Sequence, residues 1–436
     1  MDDTLAEIRE KGTVIEGVLE GLLAAACGGG APRDDRLSSL TQAQWESLWD
    51  LARLHQVEAL VLGELAARGI HPPEAVQTGL AAYEKETELR FYTLFSLTSY
   101  AAFLLRRAGL PFYVLKGVSL CALYPHPERR LMSDVDLYVP GEENWLSACR
   151  VLHENGFVLE HPSVLTARRG AKDKPFYTYY HMECRYAMRG GMRTLELHRK
   201  PSADLPDSAA ERRVREIFSL LPGADACRLF GVDLPVLPVQ AFAFSLVLHM
   251  TQHFLFAGFG LRLLCDWTVF LRRHGCALGA PFLSFVRETG LDRFTAAVTR
   301  LCAAHLGLRE EEVPWLGLLQ APRPEGMERL WADILAGGDF GKGEKGRMLL
   351  PAGGGRLHAY LSALQLQASR RYPGANRIVP LRPLLWCGAA WMFLRGNRKE
   401  RGVHAAEVFR SAGSRRKLLT DLALFEKARP ERGPES

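Results

Sequence analysis

The chain has 436 residues, 47% hydrophobic and 24% charged, which excludes a disordered or low-complexity protein and leaves length for two or three buried cores. Its 55 Lys and Arg exceed the 49 Asp and Glu by six, in short Arg-rich patches, so nucleic acid is permitted as a partner but not indicated. The nine cysteines include no close CxxC pair and fall in apolar stretches such as Leu264-Cys265-Asp266, which fits buried thiols in a reducing compartment better than a disulfide framework or a zinc knuckle.

The opening MDDTLAEIREKG lacks the basic region and apolar core of a secretory signal, so the expected location is cytoplasmic. Apolar residues at helical spacing over 13–26 and 38–69, separated by CGGGAPRDD, predict helices joined by a linker. A further helix over 85–107 ends before Gly109 and delivers the chain into a strand at 112–115. Lys116-Gly117-Val118-Ser119 then leads into a short helix closed before Pro125, followed by a strand at 135–139 and a helix over 143–154 that Asn155-Gly156 ends. Residues 176–188 and 192–198 read as two strands turning at Gly190-Gly191.

Beyond residue 203 the pattern is mainly helical, at 239–256, 261–272 and 281–306, with loops or boundaries at 314–324 and 337–355. Helical potential returns at 357–369 and 384–394, and the terminal RPERGPES is expected to fray. The apolar run LLWCGAAWMFL at 384–394 is well short of the ~20 residues that span a bilayer. No transmembrane span is expected; the run reads as a docked helix, with peripheral membrane contact as the alternative.

The chemistry concentrates at Ser133-Asp134-Val135-Asp136-Leu137. In a strand alternate side chains share a face, so Asp134 and Asp136 project together while Val135 and Leu137 enter the core. Two acids on a solvated strand face are the bland alternative. Thr194-Leu195-Glu196-Leu197-His198 alternates in the same way, and if the two strands are neighbours Glu196 joins the aspartates. Three converging carboxylates oppose one another's ionisation, whereas Mg2+ favours such a set of anionic oxygens, with Mn2+ as an alternative ion. Asp134, Asp136 and Glu196 are therefore the expected metal ligands and catalytic residues.

Gly117 stands at a strand-to-helix junction, where close backbone approach suits phosphate oxygens. Ser119 can add a hydroxyl, and Lys116, Arg129 and Arg130 can balance the charge of a nucleoside triphosphate, although such basic residues are also often solvated or paired locally. His249 and His253, four apart on an apolar helix, fit core packing first, a substrate pocket second and a metal site last. Arg262 and Asp266 read as a helix-face ion pair, with Arg262 as a reserve contact for an acceptor. Tyr177, Tyr179, Tyr180, His181 and Arg185 form an aromatic and basic patch that suits a base or sugar, or simply a half-buried sheet. His181, His198, His249, His253 and Arg262 are the candidate substrate-pocket residues.

LKGVSLCALYPHPERRLMSDVDLYVP at 115–140 and LELH at 195–198 resemble the uncharacterised nucleotidyltransferase family of the polymerase-beta-like superfold. Lys116-Gly117 matches the family's Lys-Gly junction, Arg130 the arginine before its DxD, Asp134 and Asp136 the metal carboxylates, and Glu196 with His198 the Glu-x-His. The broader superfold has adjacent Gly-Ser in its phosphate turn, whereas Val118 intervenes here, which places more weight on the Gly117 backbone than on Ser119. The resemblance implies an α/β fold: a small mixed sheet of nucleotidyltransferase-like topology between N-terminal helices and a larger C-terminal helical region. The corresponding divisions are an N-terminal helical lobe at 1–108, the core at 109–203, a helical substrate or packing domain at 204–340 and a helical extension at 341–436.

The implied reaction moves a nucleoside monophosphate from an NTP of unspecified base, with ATP among the candidates, to an unidentified acceptor hydroxyl, releasing pyrophosphate. A small-molecule acceptor is favoured over protein or nucleic acid. The alternatives are a noncatalytic nucleotide-binding or regulatory module and a protein adenylyltransferase. Asp136→Ala is expected to remove a ligand with little loss of fold, because Val135 and Leu137 keep their packing.

Overall fold

The computed structural model describes residues 2–29, 37–77, 80–166, 180–202, 204–256, 258–320, 322–339, 378–401 and 417–422, with Gln365, Ala368, Tyr372, Leu424 and Phe425. Tyr177, Tyr179, the frayed tail and all of the 357–369 helix but Gln365 and Ala368 lie outside the described residues.

The chain opens with helices α1 (Asp2–Ala26), α2 (Gln42–Leu54), α3 (Glu58–Ala67), α4 (Glu74–Gln77) and α5 (Leu80–Arg107). Thr41 and Gln44 form a reciprocal capping box that starts α2. Gly109, at φ +68°, lies just past the end of α5, and the chain then enters β1 (Tyr113–Val114). A short helix α6 (Val118–Cys121), β2 (Val135–Tyr138), α7 (Glu142–Glu154), β3 (Val158–Leu159), β4 (His181–Met188) and β5 (Gly191–His198) follow. β4 and β5 make the expected hairpin, through a two-residue turn at Arg189-Gly190.

Then come α8 (Ser208–Ser219), β6 (Asp225–Leu229) and β7 (Val232–Val236), and the helices α9 (Val239–Phe256), α10 (Leu261–His274), α11 (Ala280–Glu288), α12 (Asp292–His305) and α13 (Pro324–Gly337). The sheet has seven strands in the order β3-β4-β5-β2-β1-β7-β6. β2 runs parallel to β5 and β1 parallel to β7, and the other pairs are antiparallel. The mixed α/β architecture agrees with the resemblance, but the sheet continues into residues 225–236, past the 203 boundary and into a region expected to be helical. The two-residue turn there is Phe230-Gly231, with both φ values positive (47° and 79°). A phenylalanine in that conformation carries none of the usual Asn-Gly turn signal, so the hairpin is hidden in the sequence.

α10 is buried from Leu261 through Leu271, and two of those buried residues are charged. They do not form the expected i,i+4 pair. Asp266 instead accepts from Arg130 Nη2 at 2.6 Å, Arg130 Nε at 3.0 Å and Tyr124 Oη at 2.9 Å. Arg262 donates to Asp339 at 2.9 Å. The reason is burial: on a helix covered on every side, each charge is satisfied across the interface it faces rather than along its own helix. Asp266 thereby ties the loop that precedes β2 to the helical half of the molecule.

Helix α14 (Arg382–Arg401) contains the apolar run at 384–394; Ala389 is buried, while Leu384 and Trp391 are 71% and 58% exposed. Among the described residues, no helix is long and apolar enough to cross a membrane.

Removing the Asp266 carboxylate strands a buried guanidinium. Asp266→Ala is expected to lower unfolding stability by roughly 3–5 kcal/mol in denaturant titration. A loss under about 1 kcal/mol would contradict the clamp.

Candidate functional site

β1 ends in a turn that only glycine adopts without strain. Gly117 has φ +68° and ψ −112°, and a Cβ there would stand 3.2 Å from Met132 Cε and 3.6 Å from the Asp134 carbonyl oxygen. The turn is thus pressed against the entrance of β2, and Lys116, just before it, points at the β2 carboxylates.

The parallel pairing of β2 with β5 puts Asp136 opposite Glu196 and Tyr138 opposite His198. Because the side-chain period is two, Asp134, Asp136, Glu196 and His198 share one face, and Val135, Leu137, Leu195 and Leu197 are buried on the other. Asp136 is only 1% exposed. Its Oδ1 accepts from Lys116 Nζ at 3.0 Å and His198 Nε2 at 2.9 Å, while its Oδ2 is buried with no hydrogen-bond partner among the described residues. His198 Nε2 is also 3.2 Å from Glu196 Oε2, and His181 Nδ1 is 3.6 Å from the same oxygen.

These contacts set the charges. Burial pushes the Asp136 carboxyl up, but Lys116 and His198 outweigh it and hold the group well below the ordinary carboxylate range. Burial would depress Lys116, yet Asp136, Asp134 and Glu196 together raise it. His198 is raised to about 9, since its bonds to Asp136 and Glu196 outweigh its burial, so it is a cation at neutral pH. Glu196 is held down in return, its burial outweighed by His198. Asp134 differs: burial and the neighbouring Asp136 raise it, against a smaller opposing pull from Lys116, and Ser133 Oγ donates to it at 3.0 Å.

A cleft of about 270 Å³ opens over this face, walled by Lys116, Gly117, Asp134, Asp136, Tyr180 and Glu196 on the sheet side. The opposite wall comes from α9 and α10. On α9, His249, Gln252 and His253 are the half-buried stripe within the buried stretch 241–255, at the i, i+3, i+4 spacing of one face. Burial first, and then Lys116, holds both histidines neutral, His253 at about 3 and His249 well below its usual value. Arg262 and Arg130 also border the cleft.

Of the expected residues, Lys116, Gly117, Arg130, Asp134, Asp136, Glu196, His249, His253 and Arg262 line the cleft. Arg130, however, is committed to Asp266, and Lys116 to Asp136. Ser119 is buried with its Oγ unbonded and is not among the lining residues. The guanidinium of Arg129 lies against Gly63 on α3, 3.9 Å from Glu84. His181 and His198 stand beside Glu196 rather than on the cleft wall, and His198 borders a small adjoining cavity. Ser133, Gln252 and Leu263 line the cleft without having been expected. Only Gln252 carried a signal, its place on the His249–His253 helix face.

Asp136 is itself buried and is the counterion of the buried His198 and the half-buried Lys116, which corrects the expectation that its loss is mild. Asp136→Ala should lower stability by roughly 3 kcal/mol, whereas Asp134→Asn, which relieves like-charge repulsion, should change it by less than about 1 kcal/mol or raise it. Paired thermal and denaturant melts check this; equal losses in the two variants would contradict the charge assignment.

Comparison with known proteins places this cleft in a family. The profile described as uncharacterised nucleotidyltransferase matches residues 41–307, more than half of the chain, from α2 through α12. No curated protein matches. Among solved structures, an antigenic nucleotidyltransferase-like protein from Paracoccidioides brasiliensis is similar at 15% identity and a TM-score of 0.33, over 50% of this chain and 93% of that one. The family match takes in every residue of the carboxylate face and of the α9 wall, and the chain belongs to the uncharacterised nucleotidyltransferases.

Proposed function

We propose that the cleft transfers a nucleoside monophosphate from an NTP to an acceptor hydroxyl in a divalent-cation-dependent reaction. The observation that carries this reading is the orphaned Asp136 Oδ2, buried on the same face as Asp134 and Glu196. A buried carboxylate oxygen without a donor calls for a cation, and an ion beside Asp134 would favour the ionised form of a carboxyl that burial and Asp136 push up. The donor set is hard oxygen, which fits Mg2+ and also accepts Mn2+. Asp134, Asp136 and Glu196 would hold the ion. Bound there, it would stabilise charge on the phosphates and lower the pKa of the attacking hydroxyl.

The remaining steps belong to the chain's own groups. Lys116 and His198 keep Asp136 ionised and fix its orientation through Oδ1, leaving Oδ2 for the ion. Glu196 is the candidate base: its carboxylate would take the proton as the acceptor oxygen bonds to the α-phosphorus and pyrophosphate departs with the bridging oxygen. Neutral His249 and His253, with Gln252, offer uncharged donors and acceptors for a base, a sugar or the acceptor. The Gly117 turn allows close backbone approach by a phosphate. A cleft this narrow supports a small-molecule acceptor over a folded protein.

Incubation with ATP, GTP, CTP or UTP, Mg2+ and a metabolite mixture tests the reading by pyrophosphate release and mass analysis. The wild type should release pyrophosphate and add a nucleoside monophosphate to a small molecule. Asp134→Asn, folded as well as the wild type, should lose on the order of 10²–10³-fold in rate. Transfer at the wild-type rate by Asp134→Asn would defeat the mechanism. Nucleotide binding without turnover would point to a regulatory module, and mass gain on a protein to protein adenylylation.

A further inference from the structure

Glu196 is held from its far side by two histidines that the proposed transfer leaves as supports. His181 on β4 is the direct cross-strand partner of His198 on β5, and Glu196 lies two residues before His198 on the same face. The hairpin thus collects two imidazoles and a carboxylate from two rigid strands. His198 Nε2 is 3.2 Å and His181 Nδ1 is 3.6 Å from Glu196 Oε2, and the three donor atoms all lie within 4.8 Å of one another.

Donors bound to one metal at about 2.0–2.2 Å stand roughly 3–3.6 Å apart in octahedral or tetrahedral arrangements, and the two imidazole-to-carboxylate distances, 3.2 and 3.6 Å, fall in that range. The His181–Glu196 separation is too long for a hydrogen bond, and among the described residues His181 Nδ1 is buried without a hydrogen-bond partner, as is the second ring nitrogen of His198. An ion seated between the rings and the carboxylate would satisfy the His181 nitrogen.

We propose that His181, Glu196 and His198 form a second cation site, which takes a first-row transition-metal ion of the Mn2+ or Zn2+ class in preference to Mg2+. Two imidazoles and one carboxylate are a donor set of zinc and of non-haem iron sites, whereas Mg2+ keeps to oxygen. The proposal rests on the reading of this face as cation-binding, and it adds that the two positions differ in ligand chemistry. The Asp134–Asp136 side is hard oxygen, and the hairpin side is mixed nitrogen and oxygen. The 2.9 Å contact between His198 Nε2 and Asp136 Oδ1 joins the two, so an ion on the hairpin side would release Asp136 from one of its two cations and sharpen its hold on the other position.

The test is metal retention by the full chain, read by pulsed electron paramagnetic resonance of Mn2+ in excess Mg2+, where imidazole nitrogen coupling identifies the ligands. The wild type should retain Mn2+ with nitrogen coupling. Asp134→Asn should retain it too, because that residue serves only the oxygen side. His181→Gln, at a half-buried position that tolerates the change, should lose Mn2+ affinity by at least about tenfold, and Glu196→Gln should do the same. Complete displacement of Mn2+ by Mg2+, or undiminished affinity in both folded variants, would overturn the site. Because the readout is metal binding, it fails or succeeds separately from nucleotide transfer.

Discussion

A carboxylate sealed inside a sheet has to be neutralised, and Asp136 is 1% exposed. Left alone it would be protonated or would destabilise the fold by several kcal/mol. Its two cations come from the strands on either side, Lys116 from the end of β1 and His198 from β5, so the strand order β5-β2-β1 is the arrangement that satisfies it. The same order places Glu196 against Asp136 and, among the described residues, leaves the buried Asp136 Oδ2 without a donor. Fold and site are one solution to the problem of a buried charge, and the residual unsatisfied oxygen is where the chemistry is proposed to begin.

The helical half supplies the other wall through a second buried charge. Asp266 on α10 takes two hydrogen bonds from the Arg130 guanidinium and a third from Tyr124, so the segment that enters β2 is held against the helices. Arg262, one turn earlier, is tied to Asp339. With the loop fixed, α9 presents His249, Gln252 and His253 to the carboxylates across the cleft, and burial, with Lys116, keeps both histidines neutral. The neutral His249 and His253 of α9, facing the acids of the sheet, add no charge of their own to a cleft whose cations are Lys116, Arg130 and Arg262.

Much of this was legible from residue types and spacing. The period-two pattern of Asp134-Val135-Asp136-Leu137 and Leu195-Glu196-Leu197-His198 shows which side chains share a face, and the strand pairing completes the convergence. Gly117 at positive φ agrees with its reading as a backbone turn. What local patterns could not reveal depends on long-range partners. The i,i+4 spacing of Arg262 and Asp266 suggests a pair, but burial redirects each across the interface. Arg129 and Arg130 are adjacent in sequence, yet one lies on α3 and the other is locked to α10. The Phe230-Gly231 hairpin has no conventional turn signal, and His181 gains its place beside Glu196 only through the β4–β5 register.

If the Asp134–Asp136 face binds nucleotide through a divalent cation, affinity must depend on that ion. Calorimetric titration of non-hydrolysable triphosphate analogues, with Mg2+ and then with chelator, measures the dependence. Wild-type binding should require Mg2+ and should weaken at least about tenfold in Asp134→Asn. Binding of equal strength with and without the ion, or undiminished in that variant, would contradict it.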